Sequence, residues 1–180
     1  MNLLDSLHFL ALTVMLGAAV STDLRERRIP NGITVFGFLA GLALGIFVEG
    51  GFPLLALSGS ALAMLIALPF LALGGIGGGD AKLLIAVGAF VGPGGLLSVV
   101  LYGAVAGGVL AIGSAIRRGA LVPVFVSSGK LFLSLASLGS RGDRLSLSSP
   151  GAHSIPYGLA IAAGTLVAWF FPLSLGGLLQ

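Results

Sequence analysis

The sequence contains no cysteine, and only 8% of its residues are charged. The lack of cysteine excludes disulfides, thiolate catalysis and cysteine-based zinc sites. The shortage of charge excludes an ordinary soluble domain, in which roughly 25% of residues are charged. The few basic residues are scattered through apolar sequence and form no extended basic face, so the formal net charge of +3 does not indicate nucleic-acid binding.

Most of the sequence is apolar: 57% of residues are hydrophobic, and the mean hydropathy is +1.13. A helix needs about 20 apolar residues to cross a bilayer, and about 17 are tolerated. Five runs approach or exceed this length, and a sixth, of about a dozen residues, is too short to cross alone. The sequence therefore predicts an all-α, polytopic membrane protein with about six transmembrane helices in one membrane-embedded domain. The domain covers residues 1–180, and the runs are 7–22, 32–48, 53–74, 81–91, 95–116 and 155–175.

Basic residues lie in alternate loops between these runs. Loops 24–31, 75–82 and 117–154 carry them, whereas loops 49–52 and 92–94 do not. The positive-inside rule places the basic loops in the cytoplasm and the N-terminus outside. In the last basic loop, polar and apolar residues alternate at helical spacing, which predicts a helix lying in the membrane interface.

Several of the 30 glycines recur four residues apart. Glycines at this spacing let the backbones of two membrane helices approach closely. We therefore predict close helix packing at these positions, which are Gly37, Gly41, Gly45, Gly88, Gly92, Gly103 and Gly107.

Two of the six acidic residues lie at the ends of apolar runs. Asp23 ends the first run, and Asp80 opens the short fourth one. Two crossings separate them, and an even number of crossings returns a chain to the same side of the membrane. We therefore expect both carboxylates at the cytoplasmic boundary. Ionisable groups near membrane depth are expensive and tend to mark function.

Paired carboxylates support one kind of catalysis that requires no metal, thiol or cofactor. Two carboxylates within about 3 Å of each other cannot both ionise cheaply, so they share a proton. The ionised group then acts as a base towards water, while the protonated group polarises the scissile carbonyl. This is the chemistry of an aspartic protease, and Asp23 and Asp80 are the predicted catalytic pair.

The residues around Asp80 fit this chemistry. In the run from Gly77 through Gly79 to Asp80, no side chain obstructs an approaching substrate backbone. Lys82 either extends its charge to the membrane surface or influences the ionisation of Asp80. A nucleotide-binding loop does not fit, because the third glycine of a G-x-G-x-x-G pattern would fall on Asp80.

Two motifs together resemble a known family. Asp23 is followed after five residues by Ile29-Pro30-Asn31, and two runs later the chain reads Gly-x-Gly-Asp-x-Lys up to Lys82. This combination resembles the type IV prepilin peptidases, the aspartic membrane proteases that trim leaders from pilin precursors. The resemblance extends over about residues 20–90, and residues 155–158 are similar to the start of that family's final span.

The resemblance assigns roles by position. Asp23 and Asp80 match the family's catalytic aspartates, and Gly77, Gly79 and Lys82 match the residues that flank the second one. The resemblance implies an endopeptidase without a cofactor or metal. Its partners would be a prepilin or pseudopilin precursor and the lipid bilayer, and it would cleave the leader at the cytoplasmic face of the bacterial inner membrane.

The chain also departs from larger members of that family. Those members have a region between the first spans, often with paired zinc-binding cysteines, that methylates the new N-terminus. This sequence has neither the region nor any cysteine. It resembles the short members associated with Flp-type (tight adherence) pili, and we expect no N-methyltransferase activity.

A different class of protein could use the same aspartates. In a small membrane transporter, or a subunit of pilus or secretion assembly, Asp23 and Asp80 would bind a cation or relay protons. Such proteins more often place acids in the middle of a span, whereas both of these lie at boundaries. The protease is therefore the favoured interpretation.

Overall fold

The computed structural model describes residues 3–117 and 157–173, and within these residues the fold is helical without strands. The predicted all-α class is therefore confirmed. Four helices are long and apolar enough to cross a membrane, and a fifth is shorter. The count of six spans stays a prediction, and the predicted interfacial helix lies outside the described residues. The helices are α1 (Leu3–Glu26), α2 (Asn31–Glu49), α3 (Leu54–Ala72), α4 (Gly78–Arg117) and α5 (Tyr157–Phe170).

The range of α4 contains two of the predicted spans, as two helices that meet at a kink at Gly92. Gly92 has φ 65° and ψ −179°, a left-handed backbone conformation that glycine adopts without steric cost. Pro93 follows and has no N–H to donate to the carbonyl of Ala89, one turn before it. The predicted loop 92–94 is thus a break at one residue, which divides α4 into a first arm (78–91) and a second arm (93–117).

Helix α4 also lies at the centre of the packing, because it contacts all four of the other described helices. Its first arm is the most buried part of the described ranges, with Leu83 and Val87 fully enclosed. The outer surfaces of the other helices carry large exposed apolar side chains, as expected where helices face lipid. These include Phe36, Phe47, Leu65 and Phe70.

Glycines allow the helices around α4 to approach closely, as their spacing predicts. A Cβ added to Gly88 of α4 would lie 2.6 Å from the carbonyl oxygen of Gly59 in α3. A Cβ added to Gly41 of α2 would lie 2.8 Å from the Cβ of Ala89. Gly164 of α5 meets the backbone of Gly103 in the same way. Backbone therefore lies directly against backbone or small side chains on three sides of α4.

A substitution at Gly88 is expected to show how much this packing stabilises the fold. Gly88→Ala forces a methyl group against the α3 backbone, which cannot rotate away, so the free energy of unfolding should fall by about 1–3 kcal/mol. Gly113→Ala is the matched control on the same helix, because an added Cβ meets nothing within 4 Å there. Thermal unfolding in detergent micelles measures both. Equal stability of the two variants would contradict the packing described.

Candidate active site

Asp23 lies in the last turn of α1, and its side chain is only 8% exposed. Its Oδ2 accepts a hydrogen bond of 3.2 Å from the backbone N–H of Gly158. Gly158 is the second residue of α5, and N–H groups in the first turn of a helix have no partner within that helix. A carboxylate from α1 thus caps α5, where the helix dipole favours negative charge.

This contact depends on the absence of a side chain at Gly158. A Cβ at that position would lie 2.8 Å from Oδ2 of Asp23 and 3.3 Å from Cδ1 of Ile29. Any other residue would displace the carboxylate or the start of α5. The family resemblance places Gly158 at the start of a span, but nothing in the sequence identifies it as the partner of Asp23.

Asp80 is the third residue of α4 and is half-buried. Its Oδ2 accepts a hydrogen bond of 3.3 Å from the N–H of Gly77, the residue before the helix begins. This bond is one half of a capping box, in which the third helical residue reaches back to the N-cap N–H, and Gly77 has no side chain to supply the other half. A Cβ on Gly77 would lie 2.9 Å from the same oxygen, so the glycine leaves room for the Asp80 carboxylate itself.

Ile29, in the connection between α1 and α2, joins the surroundings of the two aspartates. Its side chain is buried, and its Cβ lies 3.2 Å from where a Cβ on Gly79 would stand. Its Cδ1 reaches towards Gly158, the hydrogen-bond partner of Asp23. One apolar side chain therefore packs between the starts of α4 and α5, beside the residue that precedes Asp80 and the residue that bonds Asp23. We call this region the aspartate end of the bundle, defined by Asp23, Asp80 and Gly158.

Lys82 also lies at the aspartate end, and its side chain forms a hydrogen bond with α2. Its Nζ donates a hydrogen bond of 2.9 Å to Oδ1 of Asn31, the first residue of α2. The pair is solvent-exposed and ties the start of α4 to the start of α2. In the sequence, Asn31 stands out only as part of the Ile29-Pro30-Asn31 motif, and its contact with Lys82 could not be predicted because 51 residues separate the two.

A cavity of about 340 Å³ opens beside Asp80, between α3, the two arms of α4 and α5. Among the described residues around it, Asp80 and Tyr157 supply the polar side chains, and the remaining residues are apolar or glycine. Tyr157 was not among the predicted site residues. The arrangement brings a carboxylate, with room for water, to the edge of a space suited to apolar groups.

The described residues provide no metal centre. Within 3–117 and 157–173, no group of three or more His, Cys, Asp or Glu side chains could hold a metal ion. The buried His8 packs against the rings of Phe90 and Trp169 at 5.2 Å and 6.0 Å between centroids. It lines a second cavity of about 240 Å³, beside the break at Gly92 and apart from the aspartates.

One comparison with known proteins gave a match. The model of a family described as the type IV leader peptidase family matches residues 10–112. That range is more than half of the 180-residue chain, and it contains both aspartates and most of the two helices that carry them. Neither the curated proteins nor the solved structures gave a match to the chain.

Proposed function

The chain belongs to the type IV leader peptidase family, and on that premise we propose that it is an aspartic endopeptidase that removes the leader from Flp-type prepilins. Asp23 and Asp80 are the catalytic pair in this proposal. One carboxylate takes a proton from water, and the other donates a proton to the oxygen of the scissile carbonyl. The reaction hydrolyses one peptide bond in each precursor and requires no metal or cofactor.

The observation that carries the proposal is the convergence of two carboxylates from different helices. Asp23 comes from the end of α1 and Asp80 from the start of α4. Adjacent residues of α5 meet both, because Gly158 bonds Asp23 and Tyr157 lines one cavity with Asp80. In each carboxylate, Oδ2 accepts a hydrogen bond from the N–H of a glycine. These bonds orient both groups before substrate arrives, as acid–base catalysis requires.

The flanking residues support this pair in the proposed site. Gly77 leaves space for the carboxylate that it hydrogen-bonds, and Gly79 leaves space for Ile29. Lys82 acts through its bond to Asn31, which fixes the start of α4 relative to α2. All three are therefore positioning residues. A side chain at Gly77 would displace the Asp80 carboxylate, and a side chain at Gly79 would displace Ile29.

The basic residues at the aspartate end and the short connection between α1 and α2 support the proposed location and subtype of the peptidase. The exposed Arg25, Arg27 and Arg28 lie at the aspartate end, which supports a cytoplasmic site in the bacterial inner membrane. Only four residues, 27–30, connect α1 to α2, and the chain has no cysteine. These features support a short, Flp-type peptidase of one domain over residues 1–180, without N-methyltransferase activity.

The direct test is cleavage of a precursor by the purified protein. A candidate Flp-type prepilin, mixed with the protein in detergent micelles, should lose its leader, and mass spectrometry of the new N-terminus locates the cut. Addition of EDTA should leave the rate unchanged, because no metal takes part. A folded protein that leaves a panel of such precursors intact would overturn the proposal, and loss of cleavage in EDTA would overturn its mechanism.

A further inference from the structure

The cavity beside Asp80 extends away from the aspartate end into the bundle. Asp80 stands at its edge, Leu84 lies one helical turn farther along the first arm of α4, and Val99 belongs to the second arm. Ile66 of α3 and Ile161 of α5 form parts of the other walls. A group that enters at Asp80 therefore passes from a carboxylate into apolar surroundings.

The size and lining of the cavity restrict what it can hold. Beyond Asp80 and Tyr157, a charged side chain would lose its hydration in the cavity without gaining a partner, which is costly. The volume of about 340 Å³ is close to the lower limit of ligand pockets, roughly 300–1,000 Å³. An α-helix with its side chains is about 10 Å across, so a whole helix would not fit. A short extended segment with apolar side chains would.

Gly108, on the second arm of α4, makes part of this space available. A Cβ added there meets nothing within 4 Å, so the packing of the described residues does not require a glycine. Gly107 differs, because an added Cβ would contact the Cβ of Ala160 at 3.6 Å. Gly108 is exposed and lines the cavity, so a side chain added there would enter open space at the cavity and not the contact between α4 and α5.

We propose that this cavity is the subsite for the apolar side chains that directly follow the scissile bond, and that Gly108 sets the largest side chain accepted. The inference rests on the proposed function, because hydrolysis at Asp80 defines what lies next to that carboxylate. A membrane-anchored precursor enters from the aspartate end. Its leader remains in water, and the residues after the bond continue towards the bilayer, where the cavity leads.

The test enlarges Gly108 and measures size selectivity. Precursors with Ala, Leu or Phe directly after the scissile bond are cleaved by wild type, Gly108→Leu and Gly113→Leu. Filling the cavity should lower kcat/KM for the Phe precursor relative to the Ala precursor by about tenfold or more. Gly113→Leu is the matched control, since Gly113 lies on the same helix in open space and does not line the cavity. The ratio of kcat/KM for the Phe precursor to that for the Ala precursor should be the same in Gly113→Leu as in wild type.

The outcomes separate the subsite from the reaction. Cleavage by wild type with an unchanged Phe-to-Ala ratio in Gly108→Leu refutes the subsite alone. An equal loss of kcat/KM for all three precursors also refutes the subsite. That result is expected if the cavity holds a lipid acyl chain, which would not distinguish the precursors. A wild-type protein that cleaves no precursor refutes the hydrolysis itself. If Gly108→Leu does not fold, Gly108→Ala should shift the ratio in the same direction to a smaller extent.

Discussion

Replacing either Asp23 or Asp80 by asparagine should lower the rate of precursor cleavage by about 10³-fold or more. Asparagine keeps the shape of the side chain but can neither take a proton from water nor donate one to the carbonyl oxygen. General acid–base groups typically contribute about 10²–10⁴-fold each, and here both steps depend on the pair. Initial rates of leader removal by purified variants, compared at equal folded fraction, measure the effect.

Glu26→Gln is the matched control for these variants. Glu26 ends α1, is exposed, and lies three residues from Asp23 at the same end of the bundle. Its replacement removes a negative charge without changing the pair, so cleavage should continue at nearly the wild-type rate. An aspartate variant that folds and retains a rate within about tenfold of wild type would show that the pair does not perform the acid–base chemistry.

Aspartate-to-glutamate variants distinguish the protease from the transporter considered earlier. One extra methylene would move the Asp23 carboxylate out of register with the Gly158 N–H, and acid–base catalysis depends on such alignment. Glutamate should therefore fail to support cleavage. A cation or proton site tolerates glutamate in place of aspartate more readily. Ion-dependent activity that survives Asp23→Glu and Asp80→Glu would therefore favour transport.

Gly158→Ala should reduce kcat by about 10²-fold, the loss expected for a misplacement of about 1 Å, while the fold is retained. The added Cβ would lie 2.8 Å from Oδ2 of Asp23. The carboxylate can relieve the contact by rotating, which preserves packing but moves the catalytic group. KM should change little because substrate contacts elsewhere remain. Steady-state kinetics, with thermal unfolding in parallel, separate the two effects.

Gly32→Ala provides the comparison for Gly158→Ala. Gly32 is the second residue of α2, as Gly158 is the second residue of α5, but an added Cβ meets nothing within 4 Å at Gly32. Its kcat should remain close to that of wild type. If Gly158→Ala also kept wild-type kcat, the hydrogen bond to Asp23 would have no role in positioning the carboxylate.

The positions of the two aspartates could be predicted because they depend on local information. Long apolar runs identify membrane helices, and an even number of runs between Asp23 and Asp80 predicts that both lie at one end of the bundle. The structure places them there. The partner of Asp23 could not be predicted in this way, since 135 residues separate it from Gly158 and no periodicity connects distant helices.

Helix packing was predictable to a similar extent. Glycines four residues apart indicate which side of a helix approaches a neighbour, and Gly41 and Gly88 behave accordingly. The neighbour itself was not indicated: Gly59, which meets Gly88, belongs to no such pair. The residues around Gly92 suggested a loop because glycine and proline end most helices. The structure agrees, because two helices meet there at a kink and Gly92 has a non-helical backbone conformation.

The hydrogen bond from Gly158 to Asp23 also has a consequence for biosynthesis, because it joins the first described helix to the last. A ribosome adds about 5–20 residues per second, so the 135 residues between Asp23 and its partner take roughly 7–27 seconds to synthesise. During that interval α1 and α4 can insert, yet the carboxylate of Asp23 has no N–H from α5 to orient it. A nascent chain therefore carries an incomplete acid pair, and the pair becomes complete only when α5 has been made.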